Sequence, residues 1–256
     1  MGAPYDRHFL YERCVQAPEV LVPFLRRLHG GAPRVLGEDF CGTAALAREW
    51  TRSDPQASAI AVDHDVQVLA LAAAARAERL ELVQADARAV EARCDVLFVG
   101  NFSIGELGSR AELVGYLRHA RGRLAPGGLF VCDTYAGASA WRTGAVERRH
   151  WIAPGVCVRY VWEQRSADPL TARVENALSF RVEEAGEIVA ELPDAFVYRW
   201  RLWSVPELRD ALLEAGFASV TVETELTRDA EPDAPAGRQP GSFTGEILAA
   251  CLCART

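Results

Sequence analysis

Between residues 32 and 133 the chain alternates short apolar runs with longer helix-forming ones, and that alternation constrains the fold more than any other feature. Apolar runs stand at 34–37, 59–62, 80–83, 96–99 and 129–132, each short and rich in Val, Leu, Ile or Ala as buried strands are. Helical patterns at 44–51, 66–77 and 111–124 separate them, and the alanine-rich stretch 69–77 has high intrinsic helix propensity and no breaker. Strands and helices alternating at this spacing predict parallel strands joined by right-handed crossovers, a doubly wound α/β sheet.

The first joint of that pattern is VLGEDFCGTAALAREW, residues 35–50. Two carboxylates (Glu38, Asp39) close an apolar strand, Cys41-Gly42-Thr43-Ala44 makes a small-residue turn, and a helix follows to Trp50. Such a turn puts backbone N–H groups and a helix N-terminus at the carboxyl edge of the sheet, where open α/β folds bind ligands. Gly42 would allow close backbone approach, since a Cβ there would hold a ligand away. A dinucleotide loop carries three glycines, whereas here Phe40 and Ala44 hold the outer places. There is no Gly-Lys-Ser/Thr, which rules out a phosphate-cradling P-loop. Taken alone, the stretch suits an ordinary strand–turn–helix joint equally well.

The ends of the following strands sharpen the picture. The second ends IAVDHD, with Asp63 about twenty residues after the turn, where an acid can accept two hydrogen bonds from a ribose diol. The same place suits a helix N-cap made by Asp63 or Asp65. The third ends LVQADAR, where Asp86 can accept from an exocyclic amine or can simply close a surface turn. The fourth ends VGNFSIGEL, placing Asn101 and Ser103 at the switch-point crevice with Phe102 between them to stack or pack. The fifth ends in Asp133 and Tyr135, facing the same edge. Polar residues at successive strand ends weigh more together than separately.

Outside this core, residues 1–32 read as helical, with apolar positions at Val20, Leu21, Phe24, Leu25 and Leu28 and a stop at Gly30-Gly31. Their leading part, YDRHFLYERCVQAPE, has no clean apolar face and suits either a surface helix or one lying over a pocket. After Asp133 the rhythm changes to long β-type runs at 156–165, 173–183 and 188–203. Val156, Val158, Tyr160 and Trp162 alternate, as do Phe196, Tyr198, Trp200 and Leu202, which predicts an antiparallel meander inserted after the fifth strand. Ser204 as N-cap with Pro206 in the first turn opens a last helix to Glu214, stopped by Gly216. Strands at 220–222 and 247–253 complete the sheet, and the Pro/Gly-rich stretch between them, within 226–242, reads as a mobile loop. The expected organisation is an N-terminal helical segment or lid at 1–32, a Rossmann-like domain at 33–140 and 204–256, and the inserted meander at 141–203.

Composition excludes several function classes. With 256 residues, 50% of them apolar, the chain suits one large α/β domain or a core domain with an insertion. A net charge of −7 argues against non-specific nucleic-acid binding, which needs a basic face. No apolar run approaches the roughly 18 residues of a membrane span, and the first residues lack a signal-peptide stretch. Seven scattered cysteines without a C-x-x-C pair read as buried thiols in a reducing compartment, with neither disulfides nor a metal site, so cytoplasm is the default.

The order ExxCGT, VDxD, QADA, NFS and LAPGGLFVCDTY resembles class I S-adenosylmethionine-dependent methyltransferases. In detail, LYERCVQAPE, EDFCGTA, NFS and YRWRLWSVPELRDALLEAGF resemble a group of bacterial methyltransferase-like proteins, in which Phe40 and Ala44 look typical. The likeness covers nearly the whole chain, except that the region after Glu223 is richer in Pro and Asp than the group. It implies S-adenosylmethionine as cofactor, with Glu38 and the backbone of Phe40, Cys41, Gly42 and Thr43 at the methionine end. Asp63 and His64 would take the ribose, Asp86 and Ala87 the adenine, and Asn101, Phe102 and Ser103 the rest of the seat. Tyr11 and Gln16 would be lid contacts, an aromatic face near a sulfonium being favourable. The meander, dense in aromatics, would form the acceptor wall through Tyr160, Trp162, Tyr198, Trp200, Arg201 and Trp203, with Tyr135 beside it, although the same residues suit a packed core. Asn101, Asp133 and Tyr135 are the candidates for the chemistry, and no base is assigned, because His8, His64 and His150 have no partner visible in sequence.

The function this implies is in-line methyl transfer to an O or N nucleophile of a small molecule. The alternatives are a protein that binds the adenosyl ligand without transferring methyl, or an enzyme using it for another alkyl transfer. A dehydrogenase would want G-x-G-x-x-G, and an amino-methylating nucleic-acid enzyme would want prolines after Asn101; both are missing. Acceptor identity and oligomeric state are not legible.

Overall fold

The structure, a computed structural model, describes residues 5–137, 140–224 and 248–256, with the side chains of 248–250 excepted. The Pro/Gly-rich loop expected at 226–242 lies outside the described residues. The chain divides into two units, Met1–Ala17 with Trp141–Leu202 and Pro18–Ala140 with Trp203–Thr256.

In the larger unit each apolar run becomes a strand: β1 (Val35–Asp39), β2 (Ser58–Asp63), β3 (Leu80–Gln84), β4 (Cys94–Val99) and β5 (Leu124–Ala136). These five pair in parallel. Because side chains along a strand point alternately to either side, Val96 and Phe98 enter one core layer while Leu97 and Val99 enter the other. Helices α2 (Pro18–His29), α3 (Ala45–Ser53) and α4 (Val66–Ala74) supply the first layer, with Leu25, Leu46, Trp50 and Leu69. Helices α5 (Arg110–Arg123) and α6 (Val205–Glu214) supply the second, with Leu113, Leu117, Leu208 and Leu212. Each such side chain, fully buried, contributes about 1.5–3 kcal/mol.

The expected cap of the last helix is present as a capping box: Ser204 Oγ accepts from the Glu207 N–H and the Glu207 carboxylate takes the Ser204 N–H at 3.0 Å. Pro126-Gly127-Gly128, a turn-forming sequence, lies inside β5, whose pairing with β4 shifts register between Cys94 and Val96. The last two strands, β10 (Ser219–Glu223) and β11 (Leu248–Arg255), complete a seven-stranded sheet of order β10-β11-β5-β4-β1-β2-β3, in which β11 runs antiparallel to both neighbours. This is a Rossmann-like doubly wound sheet with its order reversing between β1 and β4.

The smaller unit is an antiparallel sheet of four strands, β6 (Gly144–Ala153), β7 (Val156–Asp168), β8 (Arg173–Glu184) and β9 (Glu187–Arg201), in that order, with helix α1 (Arg7–Cys14) on one face. Three of these strands are the expected meander; β6 was not anticipated. It is an edge strand with almost every position exposed, so GAVERRHWIA has no buried face to write an alternating pattern. Leu10 of α1 is buried among Val158, Tyr160, Leu178, Phe180 and Val182. The opposite face carries ion pairs, among them Arg159–Glu183, Arg181–Glu191 and Arg199–Glu175. The leading segment 1–32 is thus two helices with different allegiances. The first packs on the antiparallel sheet, and the second buries Val22, Phe24 and Leu25 in the Rossmann-like core. Among the described residues no helix is long and apolar enough to cross a membrane, and no group of three metal-ligating side chains gathers. Six cysteines are buried and Cys14 is half-buried.

Candidate cofactor site at the strand ends

The two carboxylates that close β1 point to opposite faces and have different jobs. Asp39 is wholly buried and receives both Arg123 Nη1 (2.7 and 3.0 Å) and the Tyr116 hydroxyl (2.7 Å). Burial holds the Tyr116 phenol well above its ordinary value, which keeps its proton in place to donate. Asp39 therefore bolts α5 to β1 rather than facing a ligand, a role invisible next to Glu38 in the sequence. Glu38 turns toward α3, where it accepts the Ala47 N–H at 2.9 Å. The N-cap residue of α3, Ala44, has no side-chain oxygen to give, so Glu38 supplies the missing acceptor at the positive end of the helix. Burial pushes the Glu38 carboxyl up to about 8, against the opposing pull of the Ala47 N–H and of Arg48.

Phe40, Gly42 and Ala44 are all left-handed, at φ 57°, 56° and 56°. The loop keeps a three-glycine conformation with a single glycine, at a cost of about 1–2 kcal/mol for each of the other two. Burial offsets this: Phe40 sets its ring edge-on to Tyr116 at 6.1 Å, and Ala44 is fully enclosed. The turn closes through Ala44 N–H to Cys41 O (2.9 Å) and is tied to β2 through Cys41 N–H to Val62 O (2.9 Å). Cys41 and Thr43 are buried, and burial raises the Cys41 thiol far above its ordinary value, so it is no nucleophile. A Cβ built at Gly42 meets nothing within 4 Å; the loop opens onto free space at this point.

Asp63 clamps that loop. One carboxylate oxygen accepts the Gly42 N–H at 2.8 Å and the other accepts the Asp65 N–H at 3.0 Å. The N-cap of α4 is Asp65, which accepts from Gln67 N–H at 2.8 Å, so Asp63 is not that cap. In a phosphate-binding loop the corresponding N–H groups point at the anion; here one is already satisfied by a carboxylate, which leaves negative charge beside the opening and disfavours phosphate. His64 is exposed, with Nδ1 3.7 Å from Asp63. Asp86 caps a short 3₁₀ turn at Arg88 N–H (2.8 Å) and pairs with the Arg88 guanidinium, whose hydrogen bonds hold the carboxyl down at about 2. His64 lies close enough to add to that effect, and Ala87 is buried.

At the end of β4, Asn101 and Phe102 are left-handed as well, at φ 55° and 62°. Their N–H groups donate to Asp133 of β5 at 2.9 and 2.6 Å. Burial pushes Asp133 up to about 6, opposed by these two bonds. Ser103 opens a single 3₁₀ turn, and Tyr135 is buried with its ring 5.2 Å from Phe102. Glu38, Phe40–Thr43, Asp63, His64, Asp86, Ala87, Asn101–Ser103, Asp133 and Tyr135 thus all belong to one sheet edge in one unit.

The remaining expected site residues, Trp203 excepted, belong to the other unit. Tyr11 packs its ring 5.1 Å from Phe196, and the Gln16 side-chain oxygen is buried with no hydrogen-bond partner among the described residues. Tyr160 is buried against Phe180, with its hydroxyl pushed up to about 12 by burial. Tyr198 and Trp200 stack at 4.2 Å, and Arg201 is half-buried at the end of the same strand. Trp162 donates its indole N–H to Asn176 at 3.1 Å. Gln164, Asn176 and Tyr198 are register partners across β7, β8 and β9, which puts two buried amides among the aromatics. Sequence reasoning passed over both amides, since isolated Asn and Gln in a strand carry no signal. Trp203, expected on the acceptor wall, is instead sealed in the core of the Rossmann-like unit, its indole donating to Leu107 O at 3.0 Å and its carbonyl accepting from Thr134.

No protein-family model matches the chain, and no curated protein matches it by sequence. Solved structures do match in fold. An amino pentose methyltransferase of calicheamicin biosynthesis, CalS10 from Micromonospora echinaspora, solved with S-adenosylmethionine bound, is 17% identical over 100% of this chain and 99% of its own, with a TM-score of 0.70. The sugar N-methyltransferase KedS8 from a Streptoalloteichus species is 16% identical over 98% and 94%, at 0.67. A S-adenosylmethionine-dependent methyltransferase from Clostridium acetobutylicum is 14% identical over 96% of both chains, at 0.66. At these identities the likeness establishes the fold.

Proposed function

We propose that the protein is a class I S-adenosylmethionine-dependent methyltransferase acting on a small-molecule acceptor, of the EDFCGTA-loop group. The observation that carries this is the loop after β1: left-handed and open at Gly42, with the Gly42 N–H already satisfied by Asp63 and a buried carboxyl, Glu38, behind it. That arrangement suits a ligand with a cationic amino-acid end and a ribose, and it disfavours a pyrophosphate. When bound, S-adenosylmethionine supplies an electrophilic methyl group already activated by its sulfonium. Glu38 would face the ammonium, and Asp63 has lone pairs beyond its two backbone bonds for the ribose hydroxyls. Asp86 and His64 would flank the adenine rim, with Asn101 to Ser103 closing the other side.

The chain's part in the reaction is to orient and desolvate, since in-line displacement needs the nucleophile about 3–3.5 Å from the methyl carbon. The solved structures of similar fold include enzymes for a sugar and an amino pentose. A hydroxyl- or amine-bearing sugar-like acceptor therefore suits this chain. Trp162, Tyr198 and Trp200, with the amides of Gln164 and Asn176, have the mixture of flat apolar faces and amide groups that recognises such molecules. The transfer would be to O or N, in a cytoplasmic setting that suits the buried thiols. Titration calorimetry with S-adenosylmethionine, S-adenosylhomocysteine and NAD tests the reading. Both adenosyl ligands should bind and NAD should not; the reverse would overturn it. Binding of both without S-adenosylhomocysteine production from any amino sugar would mark a binding protein.

A further inference from the structure

The turn after β4 is held in a conformation its own residues disfavour. Asn101 and Phe102 are consecutive non-glycine residues at φ 55° and 62°, and left-handed pairs of this kind persist where surrounding contacts over-determine them. The backbone bonds Ser103 N–H to Gly100 O (3.1 Å) and Gly105 N–H to Phe102 O (2.9 Å) and the Phe102–Tyr135 ring contact contribute, and a single side chain binds both N–H groups. Asp133, in the middle of the pairing between β5 and β11, presents one oxygen to each of the two N–H groups, at 2.9 and 2.6 Å. We infer that Asp133 is a positioning residue: its carboxylate locks the Asn101–Phe102 turn, and protonating that carboxylate opens the lock.

The geometry requires two acceptors. Protonation puts a hydrogen on one oxygen and removes the negative charge, which leaves that oxygen a poorer acceptor and turns both bonds from charge-assisted to neutral, so the hold on the two N–H groups weakens. Among the described residues, the titratable groups that feel Asp133 are its neighbour Cys132 and the cross-strand Cys251, and burial keeps both thiols neutral. The turn itself brings no charge, so the carboxylate is balanced by backbone dipoles alone, and its midpoint of about 6 falls within the physiological range. Each Asp133 oxygen has one lone pair committed to the turn, which gives the residue a scaffold role. That the locked turn also shapes the cofactor seat rests on the proposed function; the lock itself does not.

The test is nuclear magnetic resonance on the isotope-labelled full chain. The Asn101 and Phe102 amide resonances should titrate together with a midpoint near 6, and their exchange protection, corrected for intrinsic rate, should fall at least tenfold on the acid side. In Asp133→Asn the titration should vanish and protection should be low at every pH, and adding Asn101→Gly, which removes a left-handed penalty, should restore part of it. Amides that ignore pH near 6, or wild-type protection in Asp133→Asn, would overturn the lock; should that variant not fold, the wild-type titration decides alone. S-adenosylhomocysteine affinity measured across the same pH range separates the two claims. Titrating amides with no adenosyl binding at any pH would refute the proposed function and leave the lock standing. Adenosyl binding with silent amides would refute the lock and leave the function.

Discussion

Replacing Glu38 by glutamine should make the protein more stable, and increasingly so as pH rises. Glu38 is 5% exposed, and burial moves its carboxyl from an ordinary 4.5 to about 8. The folded chain therefore holds this proton more tightly than the unfolded chain does. Its contribution to stability is fully present below about pH 4.5 and is lost as pH rises through about 8. At about 1.36 kcal/mol per pH unit, the loss between pH 5 and pH 8 is on the order of 3 kcal/mol. That is a large share of a typical 5–15 kcal/mol stability. Glutamine keeps an oxygen for the Ala47 N–H and never ionises. The variant should match wild type near pH 5 and exceed it by roughly 3 kcal/mol near pH 8 in urea denaturation. Asp133, His29 and His150 also titrate abnormally, but they are common to both proteins and drop out of the difference. The same variant should bind S-adenosylhomocysteine more weakly, because the ligand ammonium loses its counter-charge, and wild type should release protons on binding near pH 7. A stability difference that is flat, or that grows toward acid, would refute the argument and mean that Glu38 is ionised in the fold and paired with Arg48.

On the proposed function, Asp63→Asn should weaken S-adenosylhomocysteine binding by about 1–3 kcal/mol in calorimetry while the circular dichroism stays native, because it removes the charge that clamps Gly42 and would face the ribose; unchanged affinity would reduce Asp63 to a loop clamp. Gly42→Val puts a branched side chain into the space in front of the loop at φ 56°, so cofactor affinity should fall at least tenfold. Backbone strain there should cost only about 1–2 kcal/mol, or roughly 2–8 °C in Tm. Arg123→Ala leaves the Asp39 charge buried without its partner and should cost about 3–5 kcal/mol in chemical denaturation. The double variant Asp39→Asn with Arg123→Met should recover most of it, and a loss that persists in the double variant would point to packing by the arginine stem instead.

Which segments are strands and helices in the Rossmann-like unit is legible in the chain's local pattern, because burial on both faces writes continuous apolar runs and capping is written within four residues, as at Ser204 and Glu207. That pattern also determined that polar residues stand at the ends of β1, β2, β3 and β4, since parallel strands bring all their carboxyl ends to one edge whatever else they touch. Tertiary structure decided what each of those residues does. Asp39 and Arg123 are 84 positions apart, and Asp133 and Phe102 are 31, so no local pattern could pair them. Phe40 and Ala44 adopt glycine's conformation because burial and the ties to β2 outweigh a local preference of one or two kcal/mol. β6 was missed for the complementary reason: an exposed edge is specified by hydrogen bonds to β7, and backbone pairing leaves no mark on side-chain chemistry. Local chemistry selects segments; partners distant in the chain, brought together by the packed sheet, assign the carboxylates at its edge to helix, loop or core.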